Sequence, residues 1–268
     1  MTAIGRTMKA WHEANRRGWD AVSPFWQERV DQKGDWKRAH REPELVFGPE
    51  ELSYFPEVRD CPVCVLGSGD NLAVFALAGM GAEVTSVDIS QVQLDMAGQR
   101  ADELGLHVRF LRGDVTELPQ ILDETFVFIY TGGHVAVWVS NLEAYYREAF
   151  RILRIGGCFI LNEYHPFRRI WAEDDQHLIQ EFSYFDRGPH QYDRSDEVAG
   201  APPGSLPSYE FHWTVSDYIM AVKHGGFRLV AIEEVGVDRQ AWECAPMQGL
   251  PEQLIIVGDK KKTISDRT

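Results

Sequence analysis

Apolar positions follow three different regimes along this chain. In the first 55 residues they are sparse, and Trp11, Asn15, Trp19, Val22 and Trp26 recur at three- and four-residue intervals, one face of a helix. Ser23-Pro24 interrupts that stripe. Proline disfavours helical backbone at the residue before it, so the pattern predicts two short helices rather than one long one.

From residue 61 the pattern becomes regular. "CPVCVLG" is a continuous apolar run ending in glycine, as expected of a strand buried on both faces of a parallel sheet. "NLAVFALAGMG" predicts a short apolar helix, and "AEVTSVDI" a second strand. Ser90 with Gln93 forms a capping box for a helix that Gly105 stops near Leu104. "HVRFLRGD" and "TFVFIYTG" predict strands three and four. Asn141 caps a helix over "NLEAYYREAFRILRIGG" that Gly156-Gly157 ends, and "CFILNEY" is strand five. Strands and helices alternating at this spacing predict an α/β fold, a doubly wound sheet with helices on both faces.

Residues 165–213 break the rhythm, with many aromatic residues, histidines, prolines and glycines and no helical period. A structureless loop of that length is unusual in a compact domain, so a small hairpin is expected, with "QEFSYFD" and "SYEFHW" as its strands. Thr214 and Asp217 then start the helix "VSDYIMAVKH", and "FRLVAIEEVG" and "QLIIVGD" are the last strands. No helix fits between these two, so they are expected to be antiparallel. The chain therefore divides into an N-terminal helical cap (1–55), a core (56–164), an insertion after strand five that covers a substrate (165–213), the end of the core (214–259) and a frayed tail (260–268). The sheet has seven strands, mostly parallel, with a C-terminal antiparallel pair.

Composition narrows the class. Apolar residues at 44% and charged residues at 25% are those of an ordinary globular protein. The formal charge of −14 argues against a nucleic-acid partner, because phosphate binding needs clustered cations, and the one basic run, Lys260-Lys261-Lys262, lies in the tail. The chain contains no apolar stretch of membrane-spanning length, and its N-terminal segment lacks the apolar block of a signal peptide, so a cytoplasmic protein is expected. Cys61 and Cys64 form a C-x-x-C, but Cys158 and Cys244 are distant. Buried structural cysteines are expected, and no metal site.

The candidate chemistry starts at Gly67-Ser68-Gly69, between strand one and its helix. A loop in that place presents backbone N–H groups to a ligand, and glycine permits a close approach. Asp88, twenty-one residues after Gly67, ends strand two, where a carboxylate can accept from both hydroxyls of a ribose. Gly113-Asp114 ends strand three, where a second carboxylate can meet the exocyclic amine of an adenine.

With these features the sequence resembles the class I S-adenosylmethionine-dependent methyltransferases, of small-molecule type, over roughly residues 60–165 and more loosely the terminal strands. The resemblance implies S-adenosyl-L-methionine as cofactor. Its methionine part would lie on Gly67, Ser68 and Gly69, its ribose on Asp88 with Ile89 beside it, and its adenine on Asp114 and Val115. Tyr130 and Thr131 match the strand-four backbone that lines the cofactor in that family, and Trp19 and Trp26 resemble its covering helix. Two positions depart from the family pattern: Asp70-Asn71 stands where a third glycine is frequent, and Ile155 where a proline is common before Gly-Gly.

Catalytic groups are expected just beyond strands four and five, which singles out His134, Glu163 and His165. A histidine there can accept a proton from the methyl acceptor. Each residue equally admits a structural role: His134 capping a loop, Glu163 pairing with Arg168 or Arg169. The expected partner is a small-molecule acceptor enclosed by the aromatic insertion, with the oligomeric state open. The absence of Asn-Pro-Pro-Tyr and Asp-Pro-Pro-Tyr disfavours methylation of base amino groups. Two other readings remain: a nicotinamide-dependent oxidoreductase, which would want glycine at Leu72, and a non-catalytic nucleoside-binding module.

Overall fold

The computed structural model describes residues 3–69, 72–172, 174, 176–236 and 246–261. A seven-stranded sheet runs in the order β3-β2-β1-β4-β5-β9-β8. Its parallel strands are β1 (Pro62–Leu66), β2 (Glu83–Asp88), β3 (Val108–Arg112), β4 (Phe126–Gly132) and β5 (Leu153–Tyr164). The final pair, β8 (Arg228–Gly236) and β9 (Pro251–Asp259), is antiparallel, as expected of strands with no room for a crossover helix. The pleat sends alternate residues to opposite faces. Val63 and Val65 pack among α2 (Trp36–Ala39), α4 (Leu72–Gly79) and α5 (Gln91–Leu104), whereas Cys64 and Leu66 pack beneath α6 (Leu142–Ile152) and α7 (Val215–Gly225). Apolar runs without alternation are what two covered faces demand.

The N-terminal stripe forms one helix, α1 (Ala3–Lys33), and not two. Pro24 removes one N–H, but Ser23 Oγ donates back to the Trp19 carbonyl at 2.5 Å, and the buried Val22 and Val30 hold the helix down on both sides of the break. Local proline chemistry yields here to tertiary packing. Ser90 caps α5 by accepting from Gln93 N, but the reciprocal half of the capping box is absent. The Gln93 side chain is engaged instead by Gln27 of α1, which also receives a bond from Arg100.

Three further expectations change. α6 stops at Ile152, and β5 begins at Leu153, which pairs with Phe126, so Gly156-Gly157 lies inside the strand and not at a helix end. The insertion does hold a hairpin; "SYEFHW" overlaps its second strand, β7 (Pro207–Glu210), but the partner is β6 (His190–Asp193). "QEFSYFD" contributes only an isolated bridge from Gln180 to Trp171, while Phe182 turns edge-on to His190 and His212. Finally, Lys260 is not frayed. It is 9% exposed, and its Nζ donates to the carbonyls of Phe150 and Leu153 at 3.0 and 2.9 Å, satisfying the open end of α6. Lys262 and Cys244 lie outside the described residues; Cys64 is buried, and Cys61 and Cys158 are half-buried and free.

α3 (Pro49–Leu52) carries a fully buried carboxyl. Glu51 Oε2 accepts from Asn162 Nδ2 at 2.9 Å, and burial pushes its pKa up to about 7, against the bonds from Tyr130 and Asn162. The folded state therefore holds a proton the unfolded chain releases, and this contribution to stability is lost as pH rises from about 4.5 through about 7. Glu51→Gln should be near neutral at pH 5 and stabilising at pH 8, by on the order of 1–3 kcal/mol in denaturant unfolding. Equal destabilisation at both pH values would show that the carboxyl is accommodated without its proton.

Candidate functional site

The carboxyl ends of β1 to β5 open into one cavity of about 820 Å³. One end is built from the loops after the first three strands. Gly67 and Gly69 have φ of +68° and +45°, a left-handed backbone that glycine adopts without strain. Their reasons differ. A Cβ on Gly67 would meet Val135 Cγ1 at 2.4 Å, so this glycine serves loop-to-loop packing, where a collision with a ligand was expected. A Cβ on Gly69 would meet nothing within 4 Å among the described residues, and Gly69 lines the cavity. Ser68 lines the same wall, with its Oγ buried and without a hydrogen-bond partner among the described residues.

Asp88 sits 9% exposed at the end of β2. Its Oδ2 accepts from Gly69 N at 3.2 Å and its Oδ1 from Ser90 N at 2.8 Å. Burial pushes its pKa up to about 6, opposed by the backbone bonds from Ser90, Gly69 and Ile89. Asp114 is held differently. Its Oδ1 accepts from Thr116 N and Oγ1, and its Oδ2 lies 2.7 Å from His12 Nδ1 on α1. His12 Nε2 accepts the N–H of Ser140 at 2.9 Å, so Nδ1 carries the proton and donates to Asp114. Burial raises the Asp114 pKa, but His12 and Thr116 outweigh it and hold the carboxyl below its ordinary value. Ile89 and Val115 line the cavity beside the two acids.

β4 runs to Gly132, so the lining at its end comes from Gly132, Gly133, His134 and Val135. Tyr130 and Thr131 lie behind that wall. Tyr130 packs on Phe47 and Phe55, and Thr131 Oγ1 donates to the Leu66 carbonyl at 3.0 Å. The chain then turns through Gly133 and His134 with φ of +73° and +84°. Glu163 secures this turn from below, accepting the N–H of Val135 and Ala136 at 3.1 and 3.0 Å. It is 2% exposed, and burial pushes its pKa up to about 7 despite those bonds.

The three catalytic candidates are thus not brought together. Glu163 supports a loop. His165 lies outside the cavity lining: its Nε2 meets Glu234 Oε1 at 2.8 Å, and its Nδ1 accepts Phe167 N–H at 3.1 Å. Only His134 lines the cavity. Burial, then the charges of Arg169 and Arg168, hold its pKa well below the ordinary histidine value.

α1 and the insertion cover the cavity. Trp19 stands edge-on to Trp26 and Trp138 at 6.4 and 5.4 Å, with the Arg194 guanidinium 4.3 Å from its ring centre. Asn15 ties the helix to the insertion, donating to the carbonyls of Trp138 and Tyr209 and accepting from Tyr209 N. Asp20 accepts from Ser90 Oγ at 2.7 Å. Beyond these, the chamber is walled by Tyr164, Trp171, Phe182, Tyr192, Glu210 and His212. Sequence reasoning missed His12, Arg169, Arg194, Glu210 and His212. His12 shares a helical face with Asn15 and Trp19 at the spacing of the apolar stripe, and a polar residue on such a face was the available signal. Arg194 and His212 sit in irregular segments, Arg169 in a five-residue 3-10 turn and Glu210 at the end of the four-residue β7, all too short for a period to read. Among the described residues no helix is long and apolar enough to cross a membrane, and no cluster of three or more histidine, cysteine or acidic residues is arranged to hold a metal ion.

Comparison with known proteins agrees with this geometry. The family described as "Methyltransferase domain" matches residues 63–157. Uncharacterized methyltransferase YbaJ of Bacillus subtilis (strain 168) is 28% identical over 166 residues, 61% of this chain and 63% of that protein. The chain thus spans somewhat under two thirds of that relative's length. An S-adenosylmethionine-dependent methyltransferase from Mesorhizobium loti superposes with a TM-score of 0.62 at 21% identity, over 79% of this chain and 96% of the other. The [4+2]-cyclase SpnF superposes with a TM-score of 0.53 at 17% identity, over 77% of this chain and 76% of the other. Residues 63–157 thus match the methyltransferase-domain family, and the chain has the Rossmann-like fold of these S-adenosylmethionine-dependent methyltransferase structures.

Proposed function

We propose that the protein transfers a methyl group from S-adenosylmethionine to a nucleophilic atom of a small molecule. The observation that carries this reading is the continuity of one cavity, from the glycine loop and Asp88 to the aromatic chamber under the insertion. Its volume of about 820 Å³ falls in the range of small-molecule sites, and α1 with the insertion covers it.

The residues at the first end fit the cofactor. The open space at Gly69 admits a ligand against the backbone, the unpartnered Ser68 hydroxyl suits a polar amino-acid tail, and Asp88 keeps lone pairs for a ribose diol. Asp114, already fixed by His12, has acceptor capacity left for an adenine amine. The cofactor, when bound, supplies an electrophilic methyl on a sulfonium. The protein's part is to align the acceptor with that methyl and to exclude water, which the α1 and insertion cover would do. Trp19 and Trp26 line the cavity, where aromatic rings favour a nearby cation, although the Trp19 ring already carries the Arg194 guanidinium.

Calorimetric titration with S-adenosylhomocysteine tests the cofactor end, and transfer of labelled methyl to an acceptor panel tests the reaction. Saturable binding with transfer supports the reading. Preference for NADH would instead favour a dinucleotide enzyme. Binding without transfer would put the chain closer to proteins such as SpnF, in which this fold serves a different reaction. His12→Ala should weaken S-adenosylhomocysteine by roughly tenfold, since it removes one charge-assisted bond that orients Asp114 and latches α1. Unchanged affinity would mean that the latch is decorative.

A further inference from the structure

The hairpin of the insertion turns one face toward the cavity. In β7 the pleat alternates: Ser208 and Glu210 line the chamber, while Tyr209 between them faces away, its ring 6.2 Å from that of Trp11. Across the pair, Tyr192 of β6 stands opposite Ser208 and lines the same space. The Glu210 carboxylate on this face is engaged through one oxygen. Its Oε2 lies 3.4 Å from His212 Nε2 and 3.9 Å from Arg169 Nη1. Its Oε1 accepts no hydrogen bond among the described residues and, unlike the buried and unpartnered His212 Nδ1, is not shut off from solvent. A carboxylate has about four lone-pair sites, so those on Oε1 stay open.

Burial raises the Glu210 pKa, but the bond from His212 and then the charge of Arg169 outweigh it and hold the carboxyl below its ordinary value. Glu210 is therefore an anion at neutral pH, and one already balanced. Arg169 faces its Oε2, and Arg194, held to Glu197 through Nε and Nη2, adds positive charge to the same corner. An ammonium placed here would meet these arginines, and a carboxylate would meet Glu210. A neutral O–H donor incurs neither penalty. Tyr164, Trp171 and Phe182 supply rings to the rest of the wall.

We infer that the open oxygen of Glu210 selects the methyl acceptor, and that this acceptor is an uncharged, flat small molecule bearing a hydroxyl that donates to Oε1. This deepens the methyl-transfer reading and rests on it for the word acceptor. Glu210 acts here by discrimination, and proton removal is not assigned to it. A ketone of the same outline would strip water from Oε1 and leave it unpaired, which costs more than the hydroxyl's bond gains.

The test uses the whole protein and four rigid probes of one outline: indanol, indanone, aminoindane and indane carboxylate. Each is titrated by calorimetry with and without S-adenosylhomocysteine. Indanol is expected to bind at least roughly tenfold more tightly than indanone, and more tightly than either charged probe. That ratio should fall to about one in Glu210→Met and be partly kept in Glu210→Gln, which retains an oxygen acceptor. A carboxylate that served structure alone would weaken every probe together and leave the ratio unchanged. An unchanged ratio in Glu210→Met, tightest binding by aminoindane or the carboxylate, parity of indanol and indanone in the native protein, or no binding by any probe overturns the proposal. An indanol preference that persists in a sample that binds no S-adenosylhomocysteine upholds the role of Glu210 and counts against the methyl-transfer reading instead.

Discussion

Asp88→Ala is expected to lower affinity for S-adenosylhomocysteine by about a hundredfold or more, the largest single effect at the cofactor end. Two ribose hydroxyls donating to one buried carboxylate make two charge-assisted bonds, each worth roughly 1.5–3 kcal/mol once water is excluded. The carboxylate also organises the wall, since the N–H groups of Gly69 and Ser90 both point at it. Alanine would leave those donors unsatisfied and loosen the loop as well as remove the bonds. Asp88→Asn separates the two effects: it keeps an acceptor and the shape, and should lose roughly tenfold. Burial has pushed the Asp88 pKa up to about 6, so affinity in the native protein should decline as pH falls through that value and the carboxyl takes up a proton. A calorimetric series from pH 5 to pH 8 checks this. Affinity that is flat over that range, or unaltered by alanine, would remove Asp88 from the binding site.

Gly67→Ala is expected to cost roughly 2–5 kcal/mol of folding stability and most of the cofactor affinity. A left-handed backbone at φ +68° burdens any L-residue by about 1–2 kcal/mol, and overpacking adds roughly 1–3. The new Cβ would stand 2.4 and 2.5 Å from the two methyl carbons of Val135. Val135 cannot simply withdraw, because its N–H and that of Ala136 are both held by the buried Glu163. The double variant Gly67→Ala with Val135→Ala should recover the steric part and leave the backbone part. Thermal unfolding of the four proteins in that cycle isolates the coupling. Strictly additive losses would show that the two loops do not press on each other.

How much of this was legible in the sequence depends on what kind of physics decided each feature. The parallel strands were readable because burial on both faces forces unbroken apolar runs, and "CPVCVLG" and "TFVFIYTG" have little other reason to exist. The antiparallel ending followed from the lack of a crossover helix. The places of Gly67, Asp88 and Asp114 beside the cavity were readable because a strand end followed by glycine or aspartate has a fixed place in such a sheet. Features decided by distant contacts were not readable. Pro24 predicted a break, but the helix persists because Val22 and Val30 on both sides of it are buried. Gln93 fitted a capping box, but Gln27, sixty-six residues earlier, takes its side chain. Lys260 looked like tail, yet it closes α6. At the site, His165 was placed correctly just after strand five, whereas Glu163 lies within it, paired with Leu254. Whether a side chain faces the cavity or the opposite way turns on partners such as Val135 and Glu234, which no local pattern announces.

The central claim is that one cavity holds the adenosyl group at Asp88 and the acceptor beneath the insertion. A crystal structure with S-adenosylhomocysteine tests it most directly. The account predicts both ribose hydroxyls within hydrogen-bonding distance of the Asp88 carboxylate, the adenine beside Asp114, and the sulfur facing the chamber that contains His134 and Phe182. A nucleoside bound elsewhere, or a sulfur directed away from that chamber, would contradict it.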